Sequence, residues 1–159
     1  MKADEKKYFP MFVDLTQKKV TVIGAGNIAK RRIETLLFFA GTIEVIAPDA
    51  CERIKELAKE GRLVWKEKEY DREDLYDADL VLSATNNEKV NNDVYSACKC
   101  LGISVNTASN RMKCDFYFPS ILQKEETVIG LNSAGNPAKT KNVRKEMQKW
   151  IEEAGEKHE

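Results

Sequence analysis

At 159 residues the chain has room for one core and a small appendage, which excludes a second large catalytic domain. Lys plus Arg and Asp plus Glu balance at 26 each, so no global field recruits nucleic acid or an anionic membrane, and no apolar run approaches membrane-spanning length. Four cysteines, Cys51, Cys98, Cys100 and Cys114, lack the spacing of a disulfide framework or a zinc site and read as reduced thiols. The charged opening, with Lys2, Asp4, Glu5, Lys6 and Lys7, is unlike a signal peptide, and the expected location is cytoplasmic.

Tyr8 to Leu15 comes first, expected as an edge segment that covers a sheet, since Pro10 cannot donate to a ladder and the aromatics read as packing. The β-branched run Val20-Thr21-Val22-Ile23 then predicts a buried strand. It runs into Gly24-Ala25-Gly26-Asn27-Ile28-Ala29, which opens a helix whose apolar stripe is Ile28, Ala29, Ile33, Leu36, Leu37 and Ala40, capped at Gly41. Gly24 permits the sharp turn out of the strand. Gly26 lets backbone approach a pyrophosphate, and Ala29 lets the helix pack closely while its free N–H groups face the phosphates. A second strand, Ile43 to Ala47, breaks at Pro48, and Asp49 stands twenty residues beyond Ala29, where an acid meets a ribose. The pattern predicts a dinucleotide-binding crossover, with a plain βαβ unit as the competing reading.

A helix over Ala50 to Glu60 turns Ile54, Leu57 and Ala58 inward and stops at Gly61. A third strand over Leu63 to Lys68, a short acidic turn over Asp71 to Tyr76 and a central strand over Leu80 to Ala84 follow. The alternation predicts a doubly wound, Rossmann-type α/β sheet. Thr85-Asn86-Asn87 falls at the carboxyl edge of the central strand and is either a ligand contact or a helix cap. The next helix turns Val90, Val94, Ala97, Cys98 and Leu101 inward, puts Cys98 and Cys100 on different faces, and ends at Gly102 before the strand Ile103 to Asn106.

Beyond Asn106 the pattern changes. Thr107 to Lys113 is polar and irregular, whereas Cys114 to Leu122 is aromatic and extended, and Thr127 to Leu131 can pair with it antiparallel across a turn at Gln123 to Glu126. Asn132 to Pro137 turns into a last helix with Val143, Met147, Trp150 and Ile151 on one face. The expected division is a nucleotide-binding domain over 1–113 and a small strand-and-helix element over 114–159, serving dimerisation and substrate. His158, the only histidine, lies in a charged tail and is a poor catalytic candidate.

Four segments together give the chain a resemblance to a known family: Gly24 to Arg32; Ile46-Ala47-Pro48-Asp49; Ala84-Thr85-Asn86-Asn87 with Asn91; and Cys114-Asp115-Phe116-Tyr117-Phe118-Pro119-Ser120. Over about Tyr8 to Ile151 it resembles the precorrin-2 dehydrogenase and sirohydrochlorin ferrochelatase family, the NAD-dependent N-terminal domain of siroheme synthase. That resemblance implies oxidation of precorrin-2 to sirohydrochlorin with NAD as cofactor, with metal insertion in some members and the metal unknown here; a homodimer through the Phe116 to Leu131 region and the last helix is expected separately, because pairing buries two exposed apolar elements. The resemblance implies cofactor contacts at Asn27, Ile28, Pro48 and Asp49, beside the Gly24, Gly26 and Thr85 that the glycine turn and the central-strand edge already point to. For a substrate rich in carboxylates, Arg111, Lys113, Ser133, Lys141 and Arg144 are candidates, with Lys139 and Lys145 nearby; an ordinary solvated face is the competing reading of these cations.

The chain departs from the family in three places. The position of an aspartate implicated in catalysis, counted back from Phe116, is occupied by Ser109, and serine is not a base at neutral pH unaided. The turn before the last helix is one residue shorter than the family pattern, and the helical tail is short. An NAD-binding regulatory module, or a tetrapyrrole carrier without turnover, is the alternative to an enzyme.

Overall fold

The computed structural model describes residues 8–155; the charged N-terminal residues before Tyr8 and His158 lie outside the described residues. Two compact units divide them, one over 12–116 and one comprising 8–11 with 117–155.

The larger unit is built on five parallel strands in the order β3-β2-β1-β4-β5: β1 (Lys19–Ile23), β2 (Thr42–Ala47), β3 (Val64–Glu67), β4 (Leu80–Ser83) and β5 (Ser104–Thr107). Val20, Val22, Val45, Val81, Leu82 and Val105 are fully buried, as expected of parallel strands covered on both faces. Helices α1 (Asn27–Leu36), α2 (Glu52–Lys59) and α3 (Glu88–Leu101) connect them, contributing Ile33, Ile54, Leu57 and Val94 to the core. The chain passes from β1 outward to β2 and β3, then returns to place β4 on the other side of β1. This reversal of strand order makes the carboxyl ends of β1 and β4 the switch point at which open α/β sheets bind ligands. The fold is therefore the Rossmann-type doubly wound sheet expected from the pattern.

Three expectations are corrected in this unit. Helix α1 ends on Leu37 in right-handed geometry, with the Ala40 amide reaching back to Leu36 O, so Gly41 is not its cap. Gly41 is demanded by close approach instead: a Cβ there would lie 2.1 Å from Thr16 O, while its N–H donates to Leu15 O. Residues 12–15 form no strand, and Phe12 and Val13 are exposed rather than packed over a sheet; Leu15 O accepts from the Lys18 and Gly41 amides. Ile28 and Leu101 are also exposed, at opposite ends of their helices where the core no longer covers them. The acidic turn is a 3₁₀ turn over Arg72–Leu75, fixed by a reciprocal cap in which Asp71 accepts from the Glu73 amide and Asp74 accepts from the Asp71 amide.

The smaller unit pairs β6 (Ser120–Lys124) with β7 (Thr127–Leu131) antiparallel, and α4 (Pro137–Gly155) packs on β6. The pairing is as expected, but strand structure begins at Ser120 rather than Cys114, and the turn narrows to Glu125 and Glu126, with Glu125 at φ 52°. Thr140, Val143, Met147 and Ile151 form the covered stripe of α4, whereas Trp150, at the Val143 edge of that stripe, is 66% exposed. Arg144 Nε donates to Ile121 O and Lys124 Nζ to Ile151 O, tying helix to strand from both sides. Tyr8 stacks on Tyr117 with ring centroids 3.9 Å apart, so the Tyr8 aromatic packs as expected while Phe9 is exposed.

Candidate functional site

At the switch point the glycine turn is pinned from both sides. Gly24 N donates to Ile46 O at the end of β2, Ala84 N donates to Ile23 O, and Cys51 N donates to Ala25 O. Gly24 sits at φ 100°, and a Cβ on it would lie 2.6 Å from Ala84 O, so both its conformation and its space exclude a side chain. Gly26 differs: a Cβ there meets nothing within 4 Å, and its backbone is an ordinary extended N-cap. It opens α1 without a side-chain cap and without an acidic residue in the first turn, so the N–H groups there meet neither a capping oxygen nor a competing carboxylate. This open ground over a free helix start fits an anionic diphosphate.

Asn27 and Ile28 are exposed at that helix start, and Pro48 and Asp49 are exposed after β2. The Asp49 carboxylate accepts from the Ala50 amide at 2.8 Å and pairs with Lys55 Nζ at 3.0 Å. The Lys55 ammonium and the Ala50 N–H hold Asp49 below its ordinary pKa, so it is ionised at neutral pH. After β4, Thr85 Oγ1 accepts from the Asn87 amide, and Asn87 Oδ1 accepts from the Lys89 and Val90 amides. The capping reading of Thr85 to Asn87 is thus realised, at the same carboxyl edge as the glycine turn.

Ser109 lies just past β5 and is exposed, with its hydroxyl accepting from Asn91 Nδ2 at 3.3 Å. Asn91 is 2% exposed; its other contacts are a bond from Nδ2 to Thr85 O and one accepted from the buried Ser83 hydroxyl. Arg111 and Lys113 occupy the 3₁₀ turn that follows, where Lys113 Nζ donates to Asn92 Oδ1 and Arg111 is exposed. Asp115 is engaged elsewhere, accepting from Lys99 Nζ and from the Val105 amide. Ser133, Lys141 and Arg144 all belong to the smaller unit; Ser133 N donates to Thr140 Oγ1, Lys141 is exposed, and Arg144 makes the bond to β6 given above. The candidates thus divide into a dinucleotide set with Ser109, Arg111 and Lys113 on one unit and three residues on the other.

Two pairings escape sequence reading. Arg32 Nη1 donates to Asn106 Oδ1 at 2.6 Å, and Asn106 Nδ2 donates to Phe116 O, linking α1 to the end of the larger unit. Burial lowers the Arg32 pKa, and the Asn106 carbonyl is an acceptor for its guanidinium. Lys55 is likewise invisible as the partner of Asp49, because a lysine in an amphipathic helix carries no signal of what its ammonium meets. Among the described residues no group of three His, Cys, Asp or Glu side chains could hold a metal ion, and no helix is long and apolar enough to cross a membrane.

Fold and turn together define a dinucleotide-binding Rossmann unit. Residues 11–120 match the family described as "Putative NAD(P)-binding", and the chain belongs to that family. It is similar to siroheme synthase of Pseudoalteromonas atlantica, 35% identical over 146 residues that are 91% of this chain and 32% of that protein. It is also similar to siroheme synthase of Buchnera aphidicola, 35% identical over 128 residues that are 80% of this chain and 27% of that protein. The chain thus spans less than a third of the length of these relatives. A solved structure titled SirC, precorrin-2 dehydrogenase superposes with a TM-score of 0.72 at 26% identity, over 89% of this chain and 70% of that one. The resemblance read from the four sequence segments is borne out, and NAD is the cofactor that this likeness supports.

Proposed function

We propose that the chain is an NAD-dependent dehydrogenase that oxidises precorrin-2 to sirohydrochlorin in siroheme biosynthesis. The observation that carries this is the glycine turn at the switch point, with open ground over Gly26 and an ionised Asp49 after the neighbouring strand, in a chain similar to a precorrin-2 dehydrogenase over nine-tenths of its length. Bound NAD would accept the hydride. The uncapped start of α1, with Gly24, Gly26, Asn27 and Ile28, holds the diphosphate, Pro48 and Asp49 flank the adenosine ribose, and Thr85 borders the dinucleotide from the β4 edge.

Oxidation removes a hydride and a proton from the macrocycle, so it also needs a proton acceptor. Ser109 occupies the loop assigned to that task, and a hydroxyl there can hold an ordered water but is itself a weak base. The reading therefore includes slow turnover and poor metal insertion, with the inserted metal ion a substrate. Arg111 and Lys113 on the larger unit, and Ser133, Lys141 and Arg144 on the smaller one, are assigned to substrate carboxylates. Homodimerisation through the smaller unit, with residues 114–159 as a working domain, and a cytoplasmic location complete the proposal.

Anaerobic incubation with precorrin-2 and NAD, followed by the absorbance of the tetrapyrrole, tests it. Sirohydrochlorin should accumulate only when both are present. Unchanged precorrin-2 beside tight NAD binding would favour a regulatory or carrier module instead.

A further inference from the structure

Asp49 and Lys55 form an unequal pair. The Asp49 side chain is 85% exposed, whereas that of Lys55 is 30% exposed, its ammonium 5.8 Å from the centroid of the Trp65 ring. Trp65 is itself fixed, donating from Nε1 to Ala47 O at the end of β2. The cation is thus seated between α2 and β3, whereas the far more exposed carboxylate, bonded also to the adjacent Ala50 amide, is the partner that an incoming anion can displace from it. Glu52, the other acid near Lys55, is 3.6 Å from it and 84% exposed, so it holds the ammonium no more firmly.

An acid after the second strand ordinarily favours a free ribose 2′-hydroxyl and repels a 2′-phosphate, whereas a cation beside it accommodates that phosphate. Here both stand 3.0 Å apart. We propose that Lys55 is a specificity-determining residue that offsets Asp49 and lets the site accept the 2′-phosphorylated dinucleotide as well as NAD, the phosphate taking the place of the Asp49 carboxylate on the ammonium. This rests on the dinucleotide reading of the glycine turn. The raised pKa of Lys55, caused chiefly by its bond to Asp49, accords with a cation that an anion at this point stabilises.

Fluorescence titration of the full chain with NADH and NADPH tests the proposal. Wild type should bind NADPH within about tenfold of NADH, and Lys55→Met, which keeps the apolar stem, should weaken NADPH by about fivefold or more while leaving NADH within about twofold. Lys55→Arg should restore NADPH binding, and Asp49→Asn should tighten it. Equal weakening of both cofactors by Lys55→Met, or of NADH alone, would overturn the proposal by showing that Lys55 only orients Asp49. Wild-type binding of NADH without NADPH would overturn it and leave the cofactor reading intact. Failure of wild type to bind either would overturn both.

Discussion

Asn91, in the first turn of α3, donates to the hydroxyl of Ser109, eighteen residues further along the chain. The same buried amide bonds the Thr85 carbonyl and accepts from Ser83, so one side chain ties the carboxyl ends of β4 and the loop after β5 together. Truncating it leaves the fully buried Ser83 hydroxyl without that acceptor. Asn91→Ala should therefore cost about 1–3 kcal/mol, measured by denaturant unfolding, whereas Ser109→Ala, at the exposed end, should cost about 1 kcal/mol or less. Equal costs would contradict the arrangement.

The bond also bears on the role proposed for Ser109. In Ser109→Asp the Asn91 amide would face a carboxylate oxygen, favouring the charged form that can act as a base. A positioned general base contributes about 10²–10⁴-fold, so the variant should oxidise precorrin-2 faster by a large factor. A fast wild type with an unimpaired Ser109→Ala would place the proton acceptor elsewhere.

The two glycines of the turn should respond differently. Gly24→Ala meets both a positive φ and the Ala84 carbonyl, so it should lower stability by about 1–3 kcal/mol or more. Gly26→Val projects into open space, so the fold should survive while NADH affinity drops by more than about tenfold. Melting temperatures and cofactor titration on the two variants check this, and normal NADH binding by Gly26→Val would contradict a phosphate position over that residue.

Lys141 is a cleaner test of substrate binding than Arg144. Arg144 also bonds Ile121 O, so reversing its charge perturbs the helix contact as well as any carboxylate. Lys141→Glu should raise the KM for precorrin-2 severalfold with NAD affinity and melting temperature unchanged. An unchanged KM would return Lys141 to the solvated face.

Acid stability follows from carboxylates held by cations. The Arg72 bond holds Asp93 below its ordinary value of 3.8, and Lys19 and Lys18 do the same for Asp77 and Asp79. A depressed folded pKa means stability that is present above the unfolded value and is lost as pH falls through the folded one. Melting temperature should thus hold from neutrality to near pH 4 and decline below it, with Arg72→Leu flattening part of the decline. A decline already under way at pH 6 would contradict this assignment.

The larger unit was legible because parallel strands need continuous apolar runs and because the glycine turn sits between such a run and a helical apolar stripe. Val20 to Ile23 and Leu80 to Ser83 are of that kind. Gly41 was misread since a cap and a close approach demand the same residue, and only the position of Thr16 O separates them. Helical spacing puts Trp150 on the face of Val143, and apolar character marks the segment around Phe12 as packing, but neither says whether a covering surface reaches them. In the site, the glycines and Asp49 announce themselves by spacing. Lys55 and Arg32 do not, because their partners, Asp49 and Asn106, are set by the crossing of helices over strand ends.

The proposed hydride transfer can be followed directly. Precorrin-2 and NAD, mixed anaerobically with the wild-type chain, should give NADH and sirohydrochlorin together in a one-to-one ratio, with neither formed by Gly26→Val. Sirohydrochlorin appearing at the same rate without NAD, or no NADH at any substrate concentration, would contradict the assignment of this chain as a precorrin-2 dehydrogenase.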